Sequence, residues 1–392
     1  MKVVQINKLD TDGAGLCCYR IHRSLISRGV DSSMLVAKKT VQDSTVRAYN
    51  KFLYFCMLVS QTLSRLFGAE KSMNESVKKS DGVKGFYSLP TSFSFLHNDK
   101  AIKDADLVHI HWVNCFLDYP SFFSKVEKPV VMTLHDENLF YGIAHYERNV
   151  LRDNEVEKKY YDLKLKSISG IKKLGIVFLS KMMYDKYKDH EIIRNAKTTI
   201  IHNSVDCSLF NIKDRDSARK KFGINPDEKV FIMVANVITE ERKGLLVAID
   251  AIEKLGISNA RILAVGNNPT NFTHRNVITT GPIRNAEELS YAYSSADYFI
   301  MPSMQEAFAQ TPIEAMACGV PAIVFPVSGT EELMNDTCGV RCSGFKVEDL
   351  MDGIGKAMDT NYEKDKIREY VSLNFSPEHI ADMYIDFYKT LM

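Results

Sequence analysis

The sequence predicts an α/β protein of two doubly wound domains, each with a parallel β-sheet covered by helices. Two series of short apolar segments alternate with stretches of helical period, one on either side of residue 200. Strands that are apolar throughout, rather than alternating, are typical of parallel sheets buried on both faces. At 392 residues the chain is long enough for two domains of this kind.

The elements follow one another in βα order. In residues 1–200 the strand segments are KVVQIN, SSMLVA, DLVHIHW, PVVMTLH and GIVFLS, and in residues 201–372 they are KVFIMVA, RILAVG, NVITT, DYFIMPS and PAIVFP. Helices are expected over residues 16–27 and 214–222, and IIHNSVDCSLF is expected to be a hinge strand between the domains. Residues 373–392 contain a helix start at Ser376 and Pro377, and we expect this C-terminal helix to pack back toward the N-terminal domain.

An insertion at residues 40–97 interrupts the first series. Its segment FLYFCMLVSQTLSRLF, residues 52–67, is followed by Lys71, Lys78, Lys79 and Lys84. The segment is shorter than the ~20 residues that span a bilayer. Two interpretations stay open: an interfacial helix at the inner membrane surface, or a helix packed on its own domain.

The composition of the chain bears on which partners the protein can bind and on the cellular compartment in which we expect it. The chain has 50 Lys and Arg residues and 49 Asp and Glu residues, so its net charge does not favour binding of nucleic acid. The first residues, MKVVQIN, form a strand pattern rather than a signal peptide, and the eight cysteines are scattered and partly within apolar runs. We therefore expect a cytoplasmic protein with free thiols. Cys338 and Cys342 have no second close pair, so no metal site is expected.

Two carboxylates flank a helix start in the second domain. In the run MQEAFAQTPIEAMACGVPAIVF, Glu306 lies in the loop after a strand, and Glu314 lies inside a helix that begins near Gln310. The backbone of residues 307–311 presents N–H groups at the helix N-terminus, which is a natural anion site. The alternative is that both are solvated surface charges.

Two cations follow the first strand of the same domain. Arg242 and Lys243 stand between that strand and a helix starting near Gly244. A guanidinium and an ammonium in this place suit a diphosphate. The alternative is two exposed basic residues in a loop.

Polar side chains also end strands in the first domain. His135 and Asp136 follow one strand, and His109 and His111 share a face of another. General base, metal-ligand and hydrogen-bonding roles are considered for these histidines, beside the alternative of satisfied strand-end residues. Asp10 and Asp12 form a D-x-D before a helix, for which helix capping is the favoured interpretation.

The E-x7-E run with its trailing A-x-G-x-P resembles glycosyltransferase family 4, also called glycosyl transferases group 1. The ERKG run, the IIHNSVDCSLF segment (Asn203, Asp206, Phe210) and the SGTEEL segment support the resemblance. The resemblance covers nearly the whole chain and is weakest across residues 40–97. Within the family, the chain resembles in particular the bacterial enzymes of surface polysaccharide synthesis. The resemblance implies the GT-B fold, with two Rossmann-like domains facing across a cleft.

The resemblance also implies roles for individual residues. Glu306 would hold the donor sugar, Glu314 the ribose, Arg242 and Lys243 the leaving diphosphate, and His135 the reaction centre. The further donor-binding candidates are Gly13, Asn236, Gly281, Ile283, Phe308, Ala309, Gln310 and Thr311. The acceptor-side candidates are Asp12, Gly15, His109, His111 and Asp136. The chain departs from the family where Ala307 and Ala309 replace glycine and where Asn236 replaces arginine.

The function so implied is transfer of a sugar, with retention and without a metal or cofactor. The donor would be a UDP- or GDP-type sugar and the acceptor a glycan or lipid-linked glycan. The alternatives are a nucleotide-sugar epimerase or a sugar phosphorylase on the same fold, and a non-catalytic nucleotide-sugar binder. A nicotinamide dehydrogenase is not supported, because no G-x-G-x-x-G follows a strand.

Overall fold

The chain divides into two compact units in the computed structural model, which describes residues 1–11, 13–80, 85–306 and 308–392. The first unit comprises residues 1–179, 183–202 and 380–392, and the second comprises residues 180–182 and 203–379. The last residues of the chain are thus part of the first unit.

Strands and helices alternate along both units. Up to residue 200 they are β1 (Lys2–Leu9), α1 (Gly13–Ser27), β2 (Asp31–Lys38), β3 (Val46–Ala48), α2 (Lys51–Phe67), α3 (Ala69–Lys79), α4 (Lys100–Asp104), β4 (Leu107–Ile110), α5 (Tyr119–Lys125), β5 (Val130–Leu134), α6 (Glu155–Ile168), β6 (Leu174–Phe178), α7 (Lys181–Tyr187) and β7 (Lys197–Ile200). Thereafter they are α8 (Arg215–Lys221), β8 (Lys229–Val237), α9 (Leu245–Lys254), β9 (Ala260–Asn267), β10 (Val277–Gly281), α10 (Ala286–Ser295), β11 (Tyr298–Met301), α11 (Gln310–Ala317), β12 (Ala322–Val324), α12 (Thr330–Leu333), β13 (Gly339–Arg341), α13 (Val347–Met358), α14 (Lys364–Phe375) and α15 (Pro377–Leu391).

Each unit is built on one parallel sheet. The described strands of the first unit run in the order β3-β2-β1-β4-β5-β6-β7, and those of the second in the order β10-β9-β8-β11-β12-β13. All the pairings are parallel. In both sheets the strand order reverses between the first and the fourth strand. The crevice outside the carboxyl ends at this switch point is where such sheets bind ligands.

Both faces of the first sheet are buried, as wholly apolar strands require. Val4 and Ile6 of β1 belong to the core on one face. Val3 points to the other face, where α1 and α15 cover the sheet, and Tyr384 of α15 belongs to this second core. A Cβ on Gly175 of β6 would lie 2.6 Å from the side chain of Leu391, so α15 is in direct contact with the sheet.

The structure differs from the sequence-based expectations in the segment that follows β7. The prediction of a hinge strand over IIHNSVDCSLF is wrong, because β7 ends at Ile200. Further along this segment, the Asp206 carboxylate accepts a hydrogen bond from the Ser208 N–H at 2.8 Å, which forms a turn. The insertion at residues 40–97 contains β3, α2 and α3, and α2 covers the segment for which a helix was expected. The helix start expected at Ser376 and Pro377 is confirmed, because α15 begins at Pro377. The helix α14 precedes it and ends at Phe375.

The helix-capping interpretation of Asp10 is also wrong. Its carboxylate is fully buried and accepts hydrogen bonds from the N–H and hydroxyl of Thr40, both at 2.6 Å, and from the Val41 N–H at 3.0 Å. Asp10 therefore anchors the chain at the start of the insertion. Asp12 lies outside the described residues.

All eight cysteines are free thiols, and Cys338 and Cys342 are buried in the second unit. Within the described ranges, no group of three or more His, Cys, Asp or Glu side chains is arranged to hold a metal ion. No single helix in those ranges is long and apolar enough to cross a membrane, although α2 and α3, bent by 47° at their junction, have the length and composition as a pair.

Candidate functional site

The loops after β8 and β11 meet at the switch point of the second sheet. Gly244, which precedes α9, has φ +75°, and a Cβ there would lie 2.3 Å from the carbonyl oxygen of Pro302. The N–H of Met304 donates to the carbonyl of Arg242 at 2.8 Å. Only glycine permits both this backbone conformation and this approach. The glycine therefore brings the two loops into backbone contact.

Three charged side chains converge on this contact. The Lys243 ammonium lies 2.5 Å from Glu306 Oε1, and the Arg242 guanidinium lies 3.7 Å from the same oxygen. Arg242 is also held by the carboxylate of Glu240 and donates to the carbonyl of Gln305 at 3.3 Å. The side chains of Arg242, Lys243 and Glu306 are 22, 17 and 13% exposed. Their charges therefore interact in a medium of lower dielectric constant than water.

Helix α11 begins beside Glu306. Its N-cap, Ala309, makes no side-chain capping hydrogen bond, and the N–H groups of a first helical turn have no partners within the helix. Phe308 and Ala309 are buried, and Gln310 and Thr311 are half-buried. These donor-binding candidates thus surround a helix N-terminus suited to an anion. Ala307 lies outside the described residues.

Glu314 lies one turn further along α11. It is 7% exposed, and its Oε2 accepts a hydrogen bond from the hydroxyl of Tyr293 at 3.2 Å. The alternative of a solvated helix face is therefore wrong for this residue. A carboxylate is an acceptor of hydrogen bonds from hydroxyl groups, as the contact with Tyr293 shows.

The remaining donor-binding candidates of this unit lie at other strand ends. Asn236 is exposed near the end of β8, where its carbonyl accepts a hydrogen bond from the Asn267 amide at 2.8 Å. Gly281 ends β10 with φ +75°, and the half-buried Ile283 follows it. The carboxyl ends of neighbouring parallel strands share one edge of the sheet, so these positions lie on the same edge as the charged cluster.

In the first unit, Asp136 is held in place by three donors. Its Oδ2 accepts from His145 Nδ1 at 2.5 Å and Trp112 Nε1 at 2.8 Å, and its Oδ1 accepts from the Asn138 N–H at 2.9 Å. Burial alone would raise the pKa of Asp136, but His145 and the other donors keep that pKa below its ordinary value. His145 Nε2 lies 2.8 Å from the Ser88 hydroxyl, which is almost wholly enclosed. The Asp–His–Ser arrangement therefore orients Asp136 rather than exposing a nucleophile.

The three histidines singled out in the sequence lie side by side. His111 Nδ1 is 3.0 Å from His135 Nε2, and the rings of His109 and His111 are 4.1 Å apart. Burial lowers the pKa of His135 to about 4 and those of His109 and His111 well below the ordinary value. All three are therefore neutral imidazoles at neutral pH.

His109 is enclosed by protein. Its side chain is fully buried, and its two ring nitrogens are paired with Tyr388 and Thr133. By contrast, His111, His135 and Asp136 line a small cavity of about 40 Å³ at the carboxyl ends of β4 and β5. The acceptor-side role assigned to His109 is thus corrected to one of support behind this cavity.

The glycines after β1 open α1. Gly13 is exposed, and a Cβ there would meet nothing within 4 Å, so protein packing does not require glycine at this position. Gly15 is buried in the first turn. The space beside Gly13 is open to a ligand.

Sequence reasoning did not find Tyr293, His145 or Tyr388. Each contacts a site residue from another element of the fold: the separation is 9 residues for His145 and Asp136, 21 for Tyr293 and Glu314, and 279 for Tyr388 and His109. No spacing rule connects such residues. Gly244 was visible as the last residue of the ERKG run, although its contact with Pro302 was not.

Residues 214–372, which include the charged cluster and α11, match the protein family described as glycosyl transferases group 1. The chain carries a glycosyl transferases group 1 domain. A similar curated protein is the D-inositol 3-phosphate glycosyltransferase of Mycobacteroides abscessus, 31% identical over 178 residues, which are 42% of this chain and 39% of that protein. With five such curated relatives the alignment covers 38–56% of the relative's own length.

Solved structures resemble the whole chain around this group 1 domain. The sucrose-phosphate synthase of Thermosynechococcus elongatus has a TM-score of 0.69 at 16% identity, covering 100% of this chain and 99% of that one. HepE of Anabaena in complex with UDP-glucose has a TM-score of 0.66 at 15% identity, covering all of both chains. The fold is GT-B.

The contact at Gly244 predicts a large effect of a single methyl group in the group 1 domain. Gly244→Ala combines a left-handed backbone with a clash against Pro302. Gly256→Ala is the matched control, because Gly256 has φ +62° but open space around its Cβ position. We expect the control to cost about 1–2 kcal/mol of stability and Gly244→Ala a further 1–3 kcal/mol, roughly the cost of overpacking. Urea unfolding measures both; equal losses would contradict a close loop contact.

Proposed function

We propose that the protein is a retaining, metal-independent glycosyltransferase. It moves a sugar from a UDP- or GDP-type donor to a glycan or lipid-linked glycan, as in bacterial surface polysaccharide synthesis. The observation that carries this proposal is the convergence of Arg242, Lys243 and Glu306 beside the N-terminus of α11. The group 1 match and the fold shared with a UDP-glucose complex support it.

The leaving diphosphate would lie between the two cations and the start of α11. Negative charge grows on this group as the glycosidic bond breaks, so fixed cations and helix N–H groups stabilise the transition state more than the ground state. Lys243, which is paired with Glu306 in the structure, would turn to the diphosphate. Glu306 would then accept hydrogen bonds from hydroxyl groups of the sugar.

The rest of the donor would follow the edge of the second sheet. Glu314, buried and in contact with Tyr293, would hold the ribose hydroxyls. Gly281 and Ile283, at the end of β10, would contact the base, and Asn236 would lie beside the phosphates. In the first unit, Gly13 would approach the donor, and His135 would contact the sugar at the reaction centre.

The acceptor would use the first unit. Asp136 is an ionised, fixed carboxylate at the cavity beside His135, and such a group accepts hydrogen bonds from sugar hydroxyls. Gly15 lies in the first turn of α1, the helix that follows β1, and His111 directly follows β4. A glycan hydroxyl is therefore the acceptor chemistry that this edge of the sheet suits.

A lipid-linked acceptor would require the protein to reach a membrane surface. We propose that α2 binds the cytoplasmic face of that membrane. Its apolar stripe consists of Phe52, Phe55, Val59, Leu63 and Leu66, which follow helical spacing and are 42–71% exposed. Met57 is the one residue of α2 that is buried. The exposed Lys78 and Lys79 end the next helix, α3. An apolar stripe with nearby cations fits an anionic lipid surface.

The two carboxylates provide the main test, because they are assigned to different parts of one donor. Glu314→Gln should weaken binding of UDP and of UDP-glucose alike, whereas Glu306→Gln should weaken only the sugar-bearing ligand and reduce turnover. A hydrogen bond to a charged group contributes about 1.5–3 kcal/mol, so calorimetry resolves the contrast. Whichever of UDP- and GDP-sugars binds is used for the measurement.

Glu348→Gln is the control for loss of charge, because Glu348 is an exposed carboxylate on α13. Unchanged nucleotide affinity in Glu314→Gln would remove the ribose role. Release of sugar 1-phosphate, or conversion of the donor without any acceptor, would instead indicate a phosphorylase or an epimerase.

Lys243→Ala tests stabilisation of the leaving group. Turnover should fall roughly 100-fold or more, as on loss of a preorganised stabilising group, while the thermal midpoint changes little because the residue lies in a loop. EDTA should leave wild-type turnover intact. If EDTA abolished turnover and manganese or magnesium restored it, metal independence would be overturned. Near-normal turnover in Lys243→Ala would remove Lys243 from stabilisation of the leaving group and leave Arg242 as the cation that does so.

Vesicle flotation tests the apolar stripe. Binding to vesicles of phosphatidylcholine with phosphatidylglycerol should fall at least tenfold in Leu63→Ser/Leu66→Ser, since burying each leucine contributes about 1.5–3 kcal/mol. The matched control is Leu209→Ser/Leu373→Ser, which alters two comparably exposed leucines of the second unit. Equal binding by both double variants would show that α2 does not contact the lipid.

A further inference from the structure

Residues 136–145, between β5 and α6, form a loop whose two ends meet at the small cavity of the first unit. Asp136 begins this loop and His145 ends it, and both side chains line the cavity. Asp136 Oδ2 lies 2.5 Å from His145 Nδ1, and the N–H of Glu137 donates to the carbonyl of His145 at 3.1 Å. The position of Asp136 at the cavity therefore depends on what holds the rest of the 136–145 loop.

A buried lysine of α6 binds the carbonyl groups of this loop. The ammonium of Lys164 donates to the carbonyl oxygens of Asn138 and Tyr141 at 2.6 and 2.8 Å, and to Asn138 Oδ1 at 3.0 Å. Lys164 is fully buried. An ammonium has three N–H donors, and all three partners of Lys164 are acceptors. Every donor of the charged side chain is thus used within the loop.

A buried carboxylate of the same helix binds the N–H groups of the loop. Glu157 accepts hydrogen bonds from the N–H of Gly142 at 2.6 Å and from that of Ile143 at 3.3 Å. A Cβ at Gly142 would clash with the carbonyl oxygen of Glu157, so the backbones of the loop and of α6 are in direct contact. Helix α6 therefore holds the loop at both its carbonyl and its N–H groups.

The amide of Asn138 has one orientation in this arrangement. Its Oδ1 faces the ammonium of Lys164, which only donates, and its Nδ2 donates at 2.8 Å to the carbonyl of Ala144, which only accepts. Reversing the amide would place donor against donor at one end and acceptor against acceptor at the other. Lys164 therefore fixes both the main chain and the side chain of Asn138.

The contact continues from Asn138 to Asp136. The N–H of Asn138 donates to Asp136 Oδ1 at 2.9 Å and is one of the groups that keep the pKa of Asp136 below its ordinary value. An N–H group only donates and an ionised carboxylate only accepts, so the direction of this bond is also fixed. A single residue thus links the buried ammonium to the carboxylate at the cavity.

Placing an amine at this position is costly. Burial lowers the pKa of Lys164 to about 7, although the charges of Asp136 and Glu157 oppose that shift. A methionine would fill similar space without a charge to desolvate. It would not provide the three directed hydrogen bonds that the lysine gives to the loop.

We propose that Lys164 is a positioning residue, which acts through Asn138 to hold the Asp136 carboxylate in place at the cavity. Asp136 is the carboxylate to which the proposed function assigns hydroxyl groups of the acceptor. The effect of Lys164 on sugar transfer therefore rests on that proposed function, whereas its effect on the position of Asp136 does not.

Trp112 reports on Asp136 without any ligand. It is the one tryptophan in the sequence, and its indole N–H donates to Asp136 Oδ2 at 2.8 Å. Protein labelled with ¹⁵N-tryptophan therefore gives one indole N–H signal by NMR. At pH 6, where Lys164 is charged in the wild type, Lys164→Met should shift or split this signal, because Asp136 is no longer held in one position.

Two further variants accompany Lys164→Met. Ile168→Ala is the matched control, because Ile168 is buried in the same helix and its truncation loosens packing without removing a hydrogen bond. Its indole signal should stay at the wild-type position. Asn138→Ala removes the amide that Lys164 holds and should change the indole signal as Lys164→Met does. It decides the question if Lys164→Met does not fold.

Turnover gives a second measurement. Lys164→Met should reduce kcat up to roughly 100-fold, as misplacement of an orienting group does, while the Kd for UDP stays unchanged. The double variant Lys164→Met/Asn138→Ala should lose no more than Lys164→Met alone, because both substitutions break the same contact. Ile168→Ala should keep kcat near that of the wild type at a temperature where it is folded.

The outcomes separate the two proposals. An unchanged indole signal in Lys164→Met, or an equal change in Ile168→Ala, would overturn the role of Lys164, since the effect would then be absent or come from packing of α6. Additive losses of kcat would show that Lys164 does not act through Asn138. The expected spectra in a protein without glycosyl transfer would retain the positioning of Asp136 and reject the proposed function. Expected spectra with unchanged kcat would overturn the role of Lys164 in the reaction.

Discussion

The pair between Lys243 and Glu306 depends on how closely two loops of the second sheet approach each other. The loops leave β8 and β11, the neighbouring strands at the point where the strand order reverses. Gly244 lets one backbone reach the carbonyl of Pro302, and Met304 donates to Arg242 across the gap. The charged side chains therefore start from a fixed backbone. Such preorganisation lets a group stabilise developing charge without reorganising during the reaction.

The same pair explains how two neighbouring cations can lie in a partly buried site. Arg242 and Lys243, whose side chains are 22 and 17% exposed, lose hydration and repel each other, which destabilises the fold. Glu306 offsets this repulsion, and Glu240 adds a second carboxylate beside Arg242. If the protein binds a nucleotide sugar as proposed, the diphosphate would carry more negative charge than one carboxylate and would also meet the start of α11, so it would compete for Lys243. Binding of the donor would then exchange one ion pair for another and would leave Glu306 available to another partner.

Much of the fold could be predicted from the sequence because central strands of parallel sheets are apolar throughout. Ten strand segments were found in this way, and β3, β7 and β13 were not. These three are edge strands of three or four residues, with half-exposed or exposed side chains such as Lys197 and Arg47. Within the site, Glu306 and Lys243 were visible as motifs. Tyr388 was not, because its contact with His109 depends on how α15 packs on the sheet.

The adjacent residues His135 and Asp136 bear on which group takes the proton of an attacking hydroxyl. Burial lowers the pKa of His135 to about 4, and three donors keep the pKa of Asp136 below its ordinary value. A general base works best when its pKa is near the operating pH, so both are weak bases. The second ionisation of a phosphate group has a pKa of about 6, which is closer to neutral pH than the pKa of either side chain. If the protein transfers a sugar as proposed, the oxygen of the departing diphosphate would be the stronger base, and His135 and Asp136 would orient hydroxyl groups by accepting hydrogen bonds.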